Sequence, residues 1–134
     1  MAYTVRRIPE LSTQVQDRPG LIADLTAGSA RAGVYLNGVI GYSLPGDRAV
    51  IVGITYDVDK VSAAARAIGW AVERTEALVV EGDYELGLLH TLTERLRAAK
   101  VNILRTSAHA IKGQFHAWFT VAPEDLDKAE AALK

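Results

Sequence analysis

Two groups of residues in this sequence are of types that could do chemistry. The first is a pair of imidazoles. Of the three histidines, His109 and His116 flank Lys112-Gly113, and a two-residue hairpin loop there would set them opposite each other on adjacent strands. Facing imidazoles can hold a metal or act as an acid/base pair, but no third ligand accompanies them, and an ordinary cross-strand pair needs no metal. His90 falls on a helix, where solvent would meet it. The second group is Asp17-Arg18-Pro19-Gly20, read as the end of a strand, a tight turn and the start of a helix. Asp17 can cap free backbone N–H groups, Pro19 suits a first helical turn, and Gly20 leaves the helix start bare, so a ligand could approach its dipole. Taken alone, the same residues are a helix cap and a surface charge.

Other chemistries lack their signatures. There is no Gly-rich phosphate loop ending in Lys-Ser or Lys-Thr, no Gly-x-Ser-x-Gly elbow and no zinc-helix His pair. No cysteine is present, which removes thiol catalysis, disulfides and thiolate metal sites. A net charge of −1 and a pI near 6.3 offer nothing to attract nucleic acid or an anionic membrane. No leader-like or bilayer-length apolar run is seen, and a cytoplasmic location is expected. The 134 residues are 49% hydrophobic, ample for a core.

The elements that must position these residues come in two copies. Gly20 and Gly87 stand 67 positions apart (87 − 20), half of 134 residues. The same offset pairs Val5 with Val72, Arg7 with Arg74, Leu21 with Leu88, Leu25 with Leu92, Val34 with Val101 and Gly46 with Gly113. It also pairs Tyr42 with His109 and Ala49 with His116. After a slip of one residue, Val58-Asp59-Lys60 matches Leu126-Asp127-Lys128.

In the first copy the patterns predict strands over 3–7 and 11–16, interrupted by Pro9, and a helix over 18–32 stopped by Gly33. A strand over 34–43, a turn at Pro45-Gly46, a strand over 49–54 and a helix capped by Asp57 and ended by Gly69 follow. Asn37-Gly38 inside the strand reads as a bulge, or as a place where a ligand or another chain comes close. The second copy predicts strands over 70–80, 101–111 and 115–121, with helices over 84–99 and from Pro123 to the end.

The order is that of a ferredoxin-like βαββαβ unit, α+β with antiparallel sheets, whose last strand has been displaced. After its final helix the second copy has no residues left for a closing strand. Tyr3–Arg7 is the only segment available, so the N-terminal strand should complete the second unit while Trp70–Arg74 completes the first. The expected units are 9–74 and 75–134, the latter completed by 1–8. Val50–Ile54 and Ala117–Val121 are apolar on both faces, so both faces should be covered, by this chain or by a second one.

The passage VQDRPGLIADLTAGSARAGVYLNGVIGYS resembles the first half of an ACT domain, a small-molecule-sensing module of amino-acid metabolism. The shared features are the strand ending in Asp-x-Pro-Gly, the Leu/Ala helix and the strand beginning Gly-Val-Tyr-Leu-Asn. The second copy keeps Gly87 and the AAKVNIL junction but has Leu86 where the family prefers Pro. The resemblance covers the whole chain as two modules. It implies a non-catalytic protein that binds a free amino acid where modules meet, without a cofactor. It further implies a homodimer and a possible enzyme partner that reads the bound state. The implied binding positions are Asp17, Arg18, Pro19, Gly20, Leu36, Asn37 and Gly38, with Glu85, Leu86 and Gly87, beside Tyr84, at a divergent second site. Two alternatives stand beside it: a small ferredoxin-like barrel enzyme, an oxygenase or isomerase using His109 and His116, and a ligand-free dimerisation module.

Overall fold

Alternation of side chains decides the first element. In the computed structural model, which describes residues 2–134, the run from Tyr3 to Gln16 forms one unbroken strand, β1 (Tyr3–Gln16). Pro9 does not interrupt it, contrary to expectation. Having no N–H to satisfy, Pro9 uses its carbonyl alone, which accepts a hydrogen bond from the Thr55 amide at 3.1 Å. The chain continues through α1 (Leu21–Arg31), β2 (Gly38–Leu44), β3 (Arg48–Ile54), α2 (Val58–Ala67) and β4 (Glu73–Asp83). It ends with α3 (Leu88–Ala98), β5 (Arg105–Ile111), β6 (Gln114–Thr120), a 3-10 turn at Pro123–Asp125 and α4 (Leu126–Leu133). The architecture is α+β, two ferredoxin-like units in tandem with antiparallel strands.

The chain divides into two compact units, Pro9–Thr75 and the segment up to Ile8 joined to Glu76–Lys134. In the first, β3 lies between β2 and β1, and in the second, β6 lies between β5 and β4. Helices cover one face of each. Leu21 and Leu25 of α1 and Val61 and Ala65 of α2 pack with Leu11, Ile51 and Trp70. In the second unit Leu88, Leu92 and Leu96 recur every four residues along α3, all fully buried with Phe119 and Leu133. Burial of each such leucine contributes about 1.5–3 kcal/mol.

The other face of β3 is buried as well: Val50, Val52 and Ile54 are 7%, 0% and 6% exposed within the single chain. Trp118 of β6, on the face away from Phe119, is 7% exposed. No second chain is required to cover these faces.

The N-terminal strand completes the second unit. Tyr3 donates its hydroxyl to the Leu133 carbonyl at 2.6 Å, and Arg7 pairs with Asp127 (2.5 Å) and Glu130 (2.9 Å) of α4. The Asp83 amide reaches the Ala2 carbonyl at 3.3 Å. Gly82 is obligatory at that crossing, since a Cβ there would stand 2.3 Å from the Ala2 oxygen and 2.7 Å from the Tyr3 Cα. Burial disfavours the charged form of Glu130, but the hydrogen bonds from Arg7 and Lys134 outweigh it and hold the carboxyl below its ordinary range.

Several boundaries differ from the sequence reading for one reason: the turn and loop residues are not absorbed into the elements. α1 begins at Leu21 rather than residue 18, and α3 at Leu88 rather than 84. Residues 34–37, 70–72 and 101–104 are irregular rather than strand. The last helix opens as a 3-10 turn at Pro123, with α-helix only from Leu126. Asn37-Gly38 forms no bulge, because the β2–β3 register runs without a break from Gly38↔Ile54 to Leu44↔Arg48. Asp57 precedes α2 but makes no side-chain cap; its carboxylate instead accepts from the Tyr35 amide at 3.3 Å.

Candidate functional site

The turn after β1 is built by Pro19 and Gly20. Gly20 has φ 93° and ψ 3°, the left-handed conformation that the third residue of a type II turn requires, with Pro in the position before it. Gly20 is therefore the residue that precedes the helix, and Pro19 lies outside the first helical turn. Asp17 does not cap it, correcting the sequence expectation. Its amide donates to the Asp47 carbonyl at 2.8 Å, and its carboxylate accepts from the Ser43 hydroxyl at 2.5 Å. The start of α1 consequently has no side-chain cap, and its first amides keep their donor capacity. Arg18 folds back over this point, donating to the Pro19 carbonyl at 3.1 Å and to Asp24 at 2.5 Å.

An open cleft of about 650 Å³ lies beside this turn. Asp17, Arg18 and Gly20 form one wall; Gly41, Tyr42 and Ser43 of β2 form the other; Ala49 and Ile51 of β3 make the floor. Gly41 shapes it, since a Cβ there would stand 3.3 Å from the Ile22 Cδ1. The turn side thus presents a carboxylate, a guanidinium and an uncapped helix start together, facing β2 over an apolar floor. Such a site can hold a small zwitterion.

The remaining expected residues lie elsewhere. Gly38 opens β2 at its Ile54 end, whereas Ser43 stands near the Arg48 end, so Leu36, Asn37 and Gly38 do not join the Asp17–Gly20 turn within this unit. A five-residue separation along a strand is roughly 17 Å. Leu36 is a core side chain: its Cδ1 occupies the space over Gly53, 3.0 Å from where a Cβ would be. Asn37 pins the β3–α2 connection, its amide donating to the Ile54 carbonyl at 2.8 Å and its side-chain oxygen accepting from the Tyr56 amide at 3.4 Å.

In the second unit Glu85, Leu86 and Gly87 form the matching turn, with Gly87 at φ 82° and Leu86 projecting 95% exposed. Tyr84 keeps the backbone bond that Asp17 makes, donating to the Gly113 carbonyl at 2.8 Å. Its ring, however, stacks on Phe115 at 6.1 Å between centroids.

His109 and His116 do face each other across β5 and β6, with ring centroids 5.4 Å apart. Both are exposed, and neither lines the cleft. Among the described residues no group of three or more His, Cys, Asp or Glu is placed to hold a metal. The residue matching His116 is Val50, not Ala49, because the first hairpin loop (45–47) is one residue longer than the second (112–113).

Sequence reasoning missed Gly41, Tyr42, Ser43 and Ala49. The internal repeat carried a signal for them: Ser43 and Ala49 stand where the second unit has Ala110 and Phe115.

No protein-family model matches the sequence, and no curated protein matches it. Solved structures do resemble its fold. A protein from Bacteroides thetaiotaomicron superposes with a TM-score of 0.82 at 20% identity, over 96% of this chain and 88% of that one. The ligand-free regulatory subunit of aspartate kinase from Thermus thermophilus gives 0.72 at 12% identity, over 98% of this chain and 93% of the other. Escherichia coli aspartokinase III in complex with lysine and aspartate gives 0.59 at 14% identity, over 99% of this chain but 32% of that enzyme. Among the described residues no helix is long and apolar enough to cross a membrane. Order of elements, register and these superpositions agree: the chain carries the tandem ACT-type fold of aspartate kinase regulatory subunits.

Proposed function

We propose that this is a non-catalytic regulatory protein that binds a free amino acid in the cleft of its Pro9–Thr75 unit. The observation that carries this reading is the cleft itself, which sets Asp17 and Arg18 at one mouth beside an uncapped helix start. The carboxylate of an amino acid would take the Arg18 guanidinium and the amides that open α1, and its ammonium would take Asp17. Ser43 holds the Asp17 carboxylate in place before any ligand arrives, which reduces the ordering cost of binding. The volume, about 650 Å³, falls in the range of roughly 300–1,000 Å³ usual for small-molecule clefts.

Regulation would follow by linkage: a ligand that binds one arrangement of the protein better shifts the population toward it, and an enzyme partner would read the change. Self-association as a homodimer belongs to the same reading. Of the structures that share the fold, one is the regulatory subunit of an aspartate kinase, and another is an aspartokinase solved with lysine and aspartate. A catalytic use of His109 and His116 has less support, since both sit exposed and apart from the cleft.

Thermal unfolding of the purified protein against each of the twenty amino acids tests this. A ligand at a hundred times its dissociation constant adds about 2.7 kcal/mol. A rise with a few amino acids, abolished by Asp17→Asn or Gly20→Val, is the expected result. An unchanged midpoint with all twenty rules the reading out.

A further inference from the structure

The second unit sets three side chains of metal-binding type in one row across its sheet. Glu81 of β4 stands opposite His116 of β6, and His116 stands opposite His109 of β5. Directly opposed residues on antiparallel strands share a face, so all three project from the face away from Phe115 and Phe119. All three are exposed. The duplication supplies an internal reference for this row. In the first unit Gln14 stands opposite Val50, and Val50 opposite Tyr42. The first unit thus has neither imidazole nor carboxylate in the row, and the second has one or the other at every place. The fold does not require them, because the first unit builds the same row without them.

The two imidazoles stand at chelating distance. Their ring centroids are 5.4 Å apart, with 28° between planes. A tetrahedral ion bound at about 2.0–2.1 Å by one nitrogen of each ring holds the ring centres roughly 5 Å apart. Side-chain rotation at exposed positions is enough to turn one nitrogen of each ring toward a common point, with the β5–β6 register unchanged. Glu81 lies two strands from His109, too far to be a third ligand, in keeping with the lack of a three-residue cluster among the described residues. Opposed Cβ atoms on adjacent strands are about 4.5–5.5 Å apart, so its carboxylate can accept the N–H of the other ring nitrogen of His116. A carboxylate so placed fixes the tautomer of a ligating histidine and raises its basicity.

We propose that His109 and His116 bind one divalent transition-metal ion of the zinc class, with Glu81 as a positioning residue behind His116 and water in the remaining coordination places. This site is separate from the cleft of the Pro9–Thr75 unit and does not depend on the amino-acid reading. Imidazole ligands select zinc, copper and nickel, whereas magnesium and calcium favour oxygen. The bound ion would tie β5 to β6, so zinc should raise the thermal midpoint of the protein.

Calorimetric titration of the full-length protein, carrying no added histidines, with zinc chloride and with magnesium chloride tests the assignment. One zinc per chain and no magnesium is the expected result. His109→Ala or His116→Ala should abolish zinc binding, and His90→Ala, which alters the exposed histidine of α3, should leave it intact. Glu81→Gln should weaken zinc binding about tenfold while leaving metal-free melting unchanged, which a merely structural role would not produce. Absence of zinc binding, equal binding of magnesium, or full binding by folded His109→Ala or His116→Ala protein overturns the site. Half an ion per chain, as two copies sharing the metal would give, overturns its completion by water. Unchanged affinity in Glu81→Gln overturns the role of Glu81. If a histidine variant fails to fold, His109→Gln or His116→Gln takes its place, and the titration of the unaltered protein decides in any case.

Discussion

At the scale of single residues, charge at the cleft is held by partners of unequal worth. Arg18 and Asp24 form their ion pair with side chains 51% and 43% exposed, a setting in which such a pair contributes about 0–1 kcal/mol. Arg18→Ala should therefore leave the melting temperature almost unchanged while weakening amino-acid binding, and comparison of melting with titration separates the two effects. Core residues behave oppositely. Leu92 is fully buried between other leucines of α3 and the second unit's core, so Leu92→Ala should cost about 2–5 kcal/mol in denaturant unfolding. The Asp17-x-Pro-Gly sequence advertised a turn and a helix start, and both exist. Which group Asp17 would bond was not legible, because Ser43 is 26 residues away and reaches it only through the pairing of β2 with β3.

At the scale of elements, the N-terminal strand and the last helix depend on each other. Arg7 ties β1 to Asp127 and Glu130, and Tyr3 ties it to the helix end at Leu133. Because the Glu130 carboxyl is held below its ordinary range in the folded protein, it adds stability at neutral pH. That contribution is present above the unfolded-state pKa and disappears as pH falls through the lower folded-state value. Glu130→Gln should flatten this acid-side loss in melting temperature measured against pH; an identical pH profile would show that the ion pair carries none of it. Gly82→Ala tests the strand's approach directly, because the added methyl meets the backbone of Ala2 and Tyr3. Overpacking of this kind costs about 1–3 kcal/mol.

At the scale of the whole molecule, each unit is incomplete as a continuous stretch of sequence. Tyr3–Ile8 and Glu73–Thr75 each belong to the unit opposite to that of the rest of their strand. A chain starting at Pro9 would leave Leu133, Asp127 and Glu130 without Tyr3 and Arg7. It should lose the cooperative unfolding of residues 76–134, as followed by Trp118 fluorescence. Native-like unfolding of that truncated chain would show that the second unit does not need its first strand.

The sequence by itself determined the duplication, the order of elements, the α+β class and the placement of the N-terminal strand. Those follow from periodicity and from counting segments, which are local properties repeated at a fixed offset. It also put His109 opposite His116, since a two-residue loop fixes register. The tertiary structure alone decided what each turn residue touches. It moved Asp17 from helix cap to partner of Ser43, turned Leu36 into a core side chain over Gly53, and set Asn37 at the far end of β2 from the Asp17–Gly20 turn. It also revealed the exchange of Phe115 for Ala49, which the 67-residue offset conceals because a one-residue difference in hairpin length shifts the register of β3 against β6. Cavities arise where side chains from distant strands fail to fill a shared space. No pattern within one strand can report that.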